Sequence, residues 1–377
     1  MANSAGGGNV LGQLSRRGPP ASFRPTRLPV TLWERNIGLM STGSAPAIRL
    51  IIADCDHASI AEEETVAAER NIHLELRNCR TEDDVIEAAL DADGIVVQYA
   101  PVTARVLEAL PRLKAVGRYG VGVDTIDVAA ANASRVAVCN VPDYCAEDVS
   151  DHAIALAMSL ARGVVMMDRN MRRGEQSLTP VHPLYRIATR TFGVVGLGLI
   201  GSATARKALG LGYSVIGYDP LREPGTVTAG GVRVVSFDEL LNNADVISLH
   251  IPLIDATRHL IDAEALARMK STAILVNTCR GGVVDTVALV KAMRSGKLLA
   301  AGLDVFEEES LPLSSPLFEL ANVALTPHAG WYSEDSYREL KRRAVENVAD
   351  VCLGRRPRNI INPEVLAQNW SPSISET

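Results

Sequence analysis

From Ala47 onward the chain alternates short runs of β-branched and aliphatic residues with longer helix-forming stretches, the rhythm of a parallel sheet with crossover helices. The runs fall into two sets. The first is Ile48–Ala53, Gly94–Val97, Leu113–Arg118 and Val136–Asn140; the second is Phe192–Gly196, Ser214–Asp219, Val246–His250, Ala273–Asn277, Leu299–Asp304 and Val323–Pro327. One long helical stretch, Val149–Arg173, separates them. A last helix, Ser336–Leu353, ends at Gly354 among basic residues, as helix C-termini favour. The expected class is α/β, with two doubly wound parallel-sheet domains and a cleft between them. Because the last helix is too short to stand alone, it is assigned to the first domain. That gives 47–148 plus 331–363 for one domain and 149–330 for the other, with two chain crossings between them.

Length and composition agree with that plan. The chain has 377 residues, 47% of them hydrophobic, enough for two cores at roughly 150 residues per domain. Its 38 basic residues are outnumbered by 44 acidic ones, a net charge of −6, so nucleic acid and anionic membranes are not expected as partners. No apolar run approaches membrane-spanning length. The six cysteines lie far apart with no C-x-x-C pair, as expected for reduced thiols in the cytoplasm, with neither disulfides nor bound metal. Residues 1–46 carry Gly6–Gly8, Pro19–Pro20 and no acid before Glu34, and are expected to be a disordered or dispensable tail. The same composition also fits a targeting segment, and Met40 stands just before the first strand as an alternative start. Residues 364–377 are expected to form a short tail.

The segment Thr191–Gly212 carries Gly196, Gly198 and Gly201 at G-x-G-x-x-G spacing between a strand and an Ala-rich helix opened by Leu199 and Ile200. The first glycine allows a tight turn, the second lets a pyrophosphate approach the backbone, and the third lets helix and strand pack closely. The helix N-terminus then faces the anion. The next strand ends on Asp219, 18 residues past Gly201, where a carboxylate accepts the ribose hydroxyls. The second domain is therefore read as a Rossmann-like site for NAD. A 2′-phosphate would be repelled by Asp219, and no arginine is expected at that strand end.

Three more strand ends of the second set carry polar residues: NTCRGG with Arg280, LDVFEEES with Asp304 and Glu309, and LTPHAGWYS with His328. Ligands of open parallel sheets bind beyond the carboxyl ends of the strands. Hydride exchange with a carbonyl needs a cation for a substrate carboxylate, an acid for the carbonyl oxygen, and a group that orients that acid. Arg280, His328 and a nearby glutamate suit these tasks; Glu307, Glu308 and Glu309 are adjacent candidates for the last.

Taken together, VGLGLIG with Asp219, NTCRGGVVD, GLDVFEEES and TPHAG resemble, in order, the D-isomer-specific 2-hydroxyacid dehydrogenases, over about Ala47 to Pro363. HAGWYSE and VCNVPDYCAEDVSDH most resemble the C-terminal binding protein branch and its bacterial relatives. The resemblance implies an NAD-dependent oxidoreductase interconverting a D-2-hydroxy acid and a 2-oxo acid, and a homodimer formed through roughly 149–176. It implies that Arg280 binds substrate, His328 donates the proton and Glu309 is its partner. It also implies that Thr278, Cys279, Arg280, Asp304 and His328 lie around the nicotinamide. The turn Gly120–Gly122, with Val121 and Gly122, resembles the segment that binds the substrate carboxylate. Trp331 is expected to wall the substrate pocket. His152 is expected to be a helical residue near the domain crossing, His250 and His259 to be structural, and Cys279 a small packing residue.

The loop Gln98–Thr103, which resembles the family's substrate loop, has no lysine or arginine, so a phosphorylated substrate is not expected. With Tyr99 and Trp331 nearby, an apolar, aromatic or thioether side chain is. The competing expectation is an NAD(H)-sensing corepressor that docks peptides, as in the C-terminal binding proteins.

Overall fold

The computed structural model describes residues 48–369, so the expectations for residues 1–46 fall outside the described residues. The first sheet is parallel and five-stranded: β1 (Arg49–Ile52), β2 (His73–Leu76), β3 (Gly94–Val97), β4 (Ala115–Arg118) and β5 (Ala137–Cys139), in the order β2-β1-β3-β4-β5. Between them run α1 (Ala61–Glu69), α2 (Glu82–Ala89), α3 (Ala104–Ala109) and α4 (Val128–Ala133). The sequence reading missed β2, whose HLEL pattern is polar because it is an edge strand with an exposed face.

The crossing to the second sheet is not one helix over Val149–Arg173. It is α5 (Ala146–Ala161) and α6 (Val164–Arg172), broken at Gly163, which takes a left-handed φ of 64°. The two bend 61° apart. A side chain at Gly163 would press on Val181 at 3.0 Å, so chain returning beneath the bend sets the break as much as the glycine does. No single helix among the described residues is long and apolar enough to cross a membrane.

The second sheet is parallel and seven-stranded, ordered β12-β11-β10-β9-β6-β7-β8. Its strands are β6 (Thr191–Val195), β7 (Ser214–Tyr218), β8 (Arg233–Val234), β9 (Val246–Leu249), β10 (Ile274–Asn277), β11 (Ala300–Leu303) and β12 (Val323–Leu325). Its helices are α7 (Leu199–Gly210), α8 (Phe237–Asn243), α9 (Ala263–Arg268) and α10 (Thr286–Arg294). The two-residue β8 was too short to show as a period. Strand order reverses between β6 and β9, the switch point where a nucleotide crevice opens.

The long α11 (Glu334–Cys352) starts on a reciprocal Ser333–Ser336 capping box and lies on the first sheet. Leu340, Ala344, Val345 and Val348 share a core with Leu50, Ile52, Val96 and Ala115. The contact is close because β3 and β4 present glycines: a Cβ at Gly94 or Gly117 would meet Val348 at 2.4 or 2.5 Å. The terminal segment expected as a tail begins with a helix, α12 (Glu364–Asn369), whose Val365 is buried.

Candidate active site

The nucleotide turn follows β6. Gly196 takes a φ of 92°, and a Cβ there would lie 2.4 Å from the His250 carbonyl oxygen across the switch point. At Gly201 it would lie 1.8 Å from the Gly196 carbonyl oxygen. At Gly198, which caps α7, nothing stands within 4 Å. That open space beside a helix N-terminus is where a pyrophosphate fits. Leu199 is exposed, while Ile200 packs against the apolar core of the first sheet.

Asp219 accepts the backbone N–H groups of Leu197 and Leu221 at 2.9 Å each, which aims its carboxylate along the turn. The expectation of no arginine here is corrected by the tertiary structure. Arg222, three residues beyond, returns its Nη2 to 3.5 Å from the Leu197 carbonyl oxygen, because the chain folds back after Asp219.

Three strand ends meet because their strands are in register: Asn277 pairs with Leu303, and Leu303 with Leu325. The next residues of each, Thr278–Arg280, Asp304 and Thr326–His328, therefore stand side by side, roughly 4.8 Å apart per strand. Asn277 shapes the first turn by accepting from Cys279 N at 3.0 Å and donating to the Arg280 carbonyl at 2.9 Å. Thr278 Oγ1 is buried with no hydrogen-bond partner among the described residues, an unused donor and acceptor where a cofactor amide would need one. With the space at Gly198, it makes the residues present a fit for NAD. Burial pushes the Cys279 thiol pKa up, which suits a packing residue rather than a nucleophile.

His328 Nδ1 lies 2.9 Å from Glu309 Oε2. The choice among three glutamates is thus made by position, since Glu307 instead holds His259 at 2.5 Å and accepts Thr286 N at 3.0 Å. His328 has a left-handed φ of 54°, a strained conformation for a non-glycine residue, and its N–H donates to the Asp304 carbonyl at 2.8 Å. Asp304 is 1% exposed. Its carboxylate accepts Thr326 Oγ1 at 2.5 Å and the N–H groups of Ala329 and Gly330 at 2.9 Å each. Burial alone would raise its pKa; these bonds and His152 outweigh it and hold the carboxyl at about 2. Asp304 is therefore built to clamp the turn that carries His328.

Sequence reasoning missed two participants. His152, on α5, puts Nε2 2.9 Å from Thr326 Oγ1 and 3.3 Å from Asp304 Oδ1; nothing local to VSDHAIALA signals that reach. Arg118 ends β4 and faces Gly120, where a Cβ would lie 1.8 Å from its Nη1. A Cβ on Gly122 would lie 2.4 Å from Arg280 Nη2. The glycine turn of the first sheet thus makes room for two guanidinium groups, one from each sheet. Burial foremost, and repulsion from Arg280, lower the Arg118 pKa, as expected where two cations await an anion. The signal in sequence was an arginine at a strand end two residues before a glycine turn.

Val121 forms the exposed tip of that turn, its carbonyl held by Asn140 at 2.7 Å. Tyr99 is 63% exposed, its hydroxyl 3.1 Å from Gln98 Nε2 and 3.4 Å from Asp56. Trp331 sits among Tyr144, Tyr332 and Tyr337, with ring centroids 5.6–6.5 Å away. His250 is half-buried beside Ser248 at 2.8 Å, and desolvation lowers its pKa to about 3, so it is a neutral structural residue.

Comparisons with known proteins agree with this geometry. Residues 154–330 match the family described as D-isomer specific 2-hydroxyacid dehydrogenase, NAD binding domain. The chain is 42% identical over 287 residues to a glyoxylate reductase of Korarchaeum cryptofilum, covering 75% of this chain and 86% of that one. It is 36% identical over 317 residues to a D-3-phosphoglycerate dehydrogenase of Methanocaldococcus jannaschii, covering 84% of this chain but 59% of that one. Among solved structures, the NAD complex of a D-isomer specific 2-hydroxyacid dehydrogenase from Lactobacillus delbrueckii superposes with a TM-score of 0.71 at 26% identity, over 83% of this chain and 99% of that one.

Proposed function

The chain belongs to the D-isomer-specific 2-hydroxyacid dehydrogenase family and is an NAD-dependent oxidoreductase; we propose that it reduces a non-phosphorylated 2-oxo acid using Arg280, His328 and Glu309. The observation that carries the assignment is the His328–Glu309 contact of 2.9 Å, formed beyond the ends of β12 and β11 beside the turn after β10 that holds Arg280. Arg280, backed by Arg118, grips the substrate carboxylate in a two-pronged contact. When bound, NAD exchanges a hydride with C2 of the substrate. Glu309 engages Nδ1 of His328, which leaves Nε2 to donate a proton to the carbonyl oxygen in reduction and to take it from the hydroxyl in oxidation. Asp304 and His152 hold the turn that aims that ring.

A phosphorylated substrate is disfavoured by the surroundings of the Gln98–Thr103 loop. Asp54 accepts the backbone N–H groups of Gln98 and Tyr99 at 2.9 and 2.7 Å, and Asp56 accepts Gln98 Nε2 at 2.7 Å. A phosphate dianion brought there would meet carboxylates. The aromatic group around Trp331 favours an apolar or aromatic side chain, while the glyoxylate reductase relatives point to a small substrate. The corepressor reading gains nothing from relatives that are glyoxylate reductases and phosphoglycerate dehydrogenases. The test is NADH oxidation, followed by absorbance, with glyoxylate, a branched 2-oxo acid, an aromatic 2-oxo acid and phosphohydroxypyruvate. Turnover is expected with one or more of the first three; fastest turnover of phosphohydroxypyruvate would overturn the substrate reading.

We also infer a homodimer. Support comes from Val164, Met171 and Leu178, large apolar residues of α6 and the segment after it that are each more than half exposed. Light scattering should report about twice the 40.3 kDa chain; a single-chain mass at micromolar concentration refutes it.

A further inference from the structure

A second cavity opens at the opposite end of the first sheet from Arg118 and the glycine turn. Its volume is about 670 Å³, within the size range of small-molecule sites. Its walls come from the segments entering β3, β4 and β5 and from the ends of α11 and α12. The floor is apolar, with Leu113, Val351, Val365 and Leu366. The rim carries Arg112, Lys114, Arg135 and Arg355, and the one acid among the lining residues is Asp93. Four cations against one carboxylate leave a surplus of three positive charges, in a chain whose net charge is −6. Asp93 accepts Arg49 N at 3.0 Å and faces two of the four cations, Lys114 at 3.1 Å and Arg112 at 3.8 Å, which leaves Arg135 and Arg355 facing no acid of the cavity lining.

Helix dipoles account for some of this charge, since Arg135 and Arg355 each follow a helix C-terminus. They do not account for four cations from three separate segments converging on one apolar floor. Arg135 is also held at a φ of 57° just after α4, a left-handed position that glycine fills without strain and another residue fills only with it. The strained residue supplies charge to the cavity rim.

We propose that this cavity is a binding site for an organic phosphate, separate from the substrate site. Arg112, Arg135 and Arg355 hold the phosphate, and its apolar body lies on Leu113, Val351 and Leu366. Arginine suits this task because its planar donors match phosphate oxygens, and a dianion neutralises two of the surplus charges. The experiment is calorimetric titration of the full-length protein with phenyl phosphate, inorganic phosphate and benzyl alcohol as probes, in wild type and in the double variant Arg135→Gln/Arg355→Gln. Phenyl phosphate should bind at least about tenfold more tightly than either other probe, and the double variant should weaken it at least about tenfold. NADH affinity should stay unchanged, showing that the variant is folded. Equal phenyl phosphate binding by wild type and the variant would place the probe at Arg118 and Arg280 and overturn the proposal. So would the absence of binding to wild type up to about 10 mM, or equal affinity for phenyl and inorganic phosphate.

Discussion

Gly198 and Gly201 stand three residues apart and are glycine for different reasons. A methyl group on Gly201 collides with backbone at 1.8 Å, whereas on Gly198 it enters empty space. Gly201→Ala should therefore lower unfolding stability by at least about 2 kcal/mol. Gly198→Ala should leave stability within about 0.5 kcal/mol yet weaken NADH binding about tenfold or more. Denaturant unfolding and NADH fluorescence titration separate the two, and identical behaviour would sink the reading. The proton-transfer pair is tested in the same spirit. His328 gives the proton in reduction and takes it back in oxidation. Glu309→Gln removes the carboxylate that orients the ring at Nδ1, so steady-state reduction should slow about tenfold while NADH affinity stays unchanged. A variant that turns over at the wild-type rate would leave Glu309 without its role.

Among the elements, α11 connects most to the site. It follows Trp331 directly, and its docking depends on the side-chain-free surfaces of Gly94 and Gly117. At Gly117 a Cβ would meet both Val348 Cγ2 at 2.5 Å and the Ala344 carbonyl oxygen at 3.1 Å. Only the side chain can yield, so Gly117→Ala should destabilise the protein by about 1–3 kcal/mol. Because β4 also ends on Arg118, the same change should raise KM for the 2-oxo acid more than it raises KM for NADH. Chemical denaturation and steady-state kinetics check both parts; unaltered stability would mean that the helix moves away without cost.

Across the whole molecule, two ionisable groups with lowered pKa values weaken the fold toward acid. His250 is neutral in the fold, with its pKa lowered by desolvation to about 3, against about 6.5 when unfolded. The unfolded chain therefore binds this proton first. Stability is fully present above about pH 6.5 and falls by up to about 1.4 kcal/mol per pH unit as pH drops toward 3. Asp304, at about 2, adds to the loss below about pH 4, where its unfolded counterpart takes up a proton. Urea unfolding between pH 7 and pH 4 should show the decline, and His250→Gln should flatten it; a decline of the same slope in that variant would assign it elsewhere.

Local spacing was enough to read the alternation of strands and helices, the nucleotide turn and three of the polar strand ends, because each rests on chemistry within about thirty residues. Gly196, Gly198 and Gly201 are placed by the same turn that their spacing describes. What tertiary structure decided depends on residues distant in sequence. It broke the crossing helix at Gly163 against Val181, chose Glu309 by giving Glu307 to His259, and returned Arg222 to the nucleotide turn. It also brought His152 to Asp304, and Arg118 and Arg280 to one glycine turn. A single sequence carries no record of which side chains meet across 150 residues of chain, because that proximity is set by strand order and register, which packing of the whole core selects.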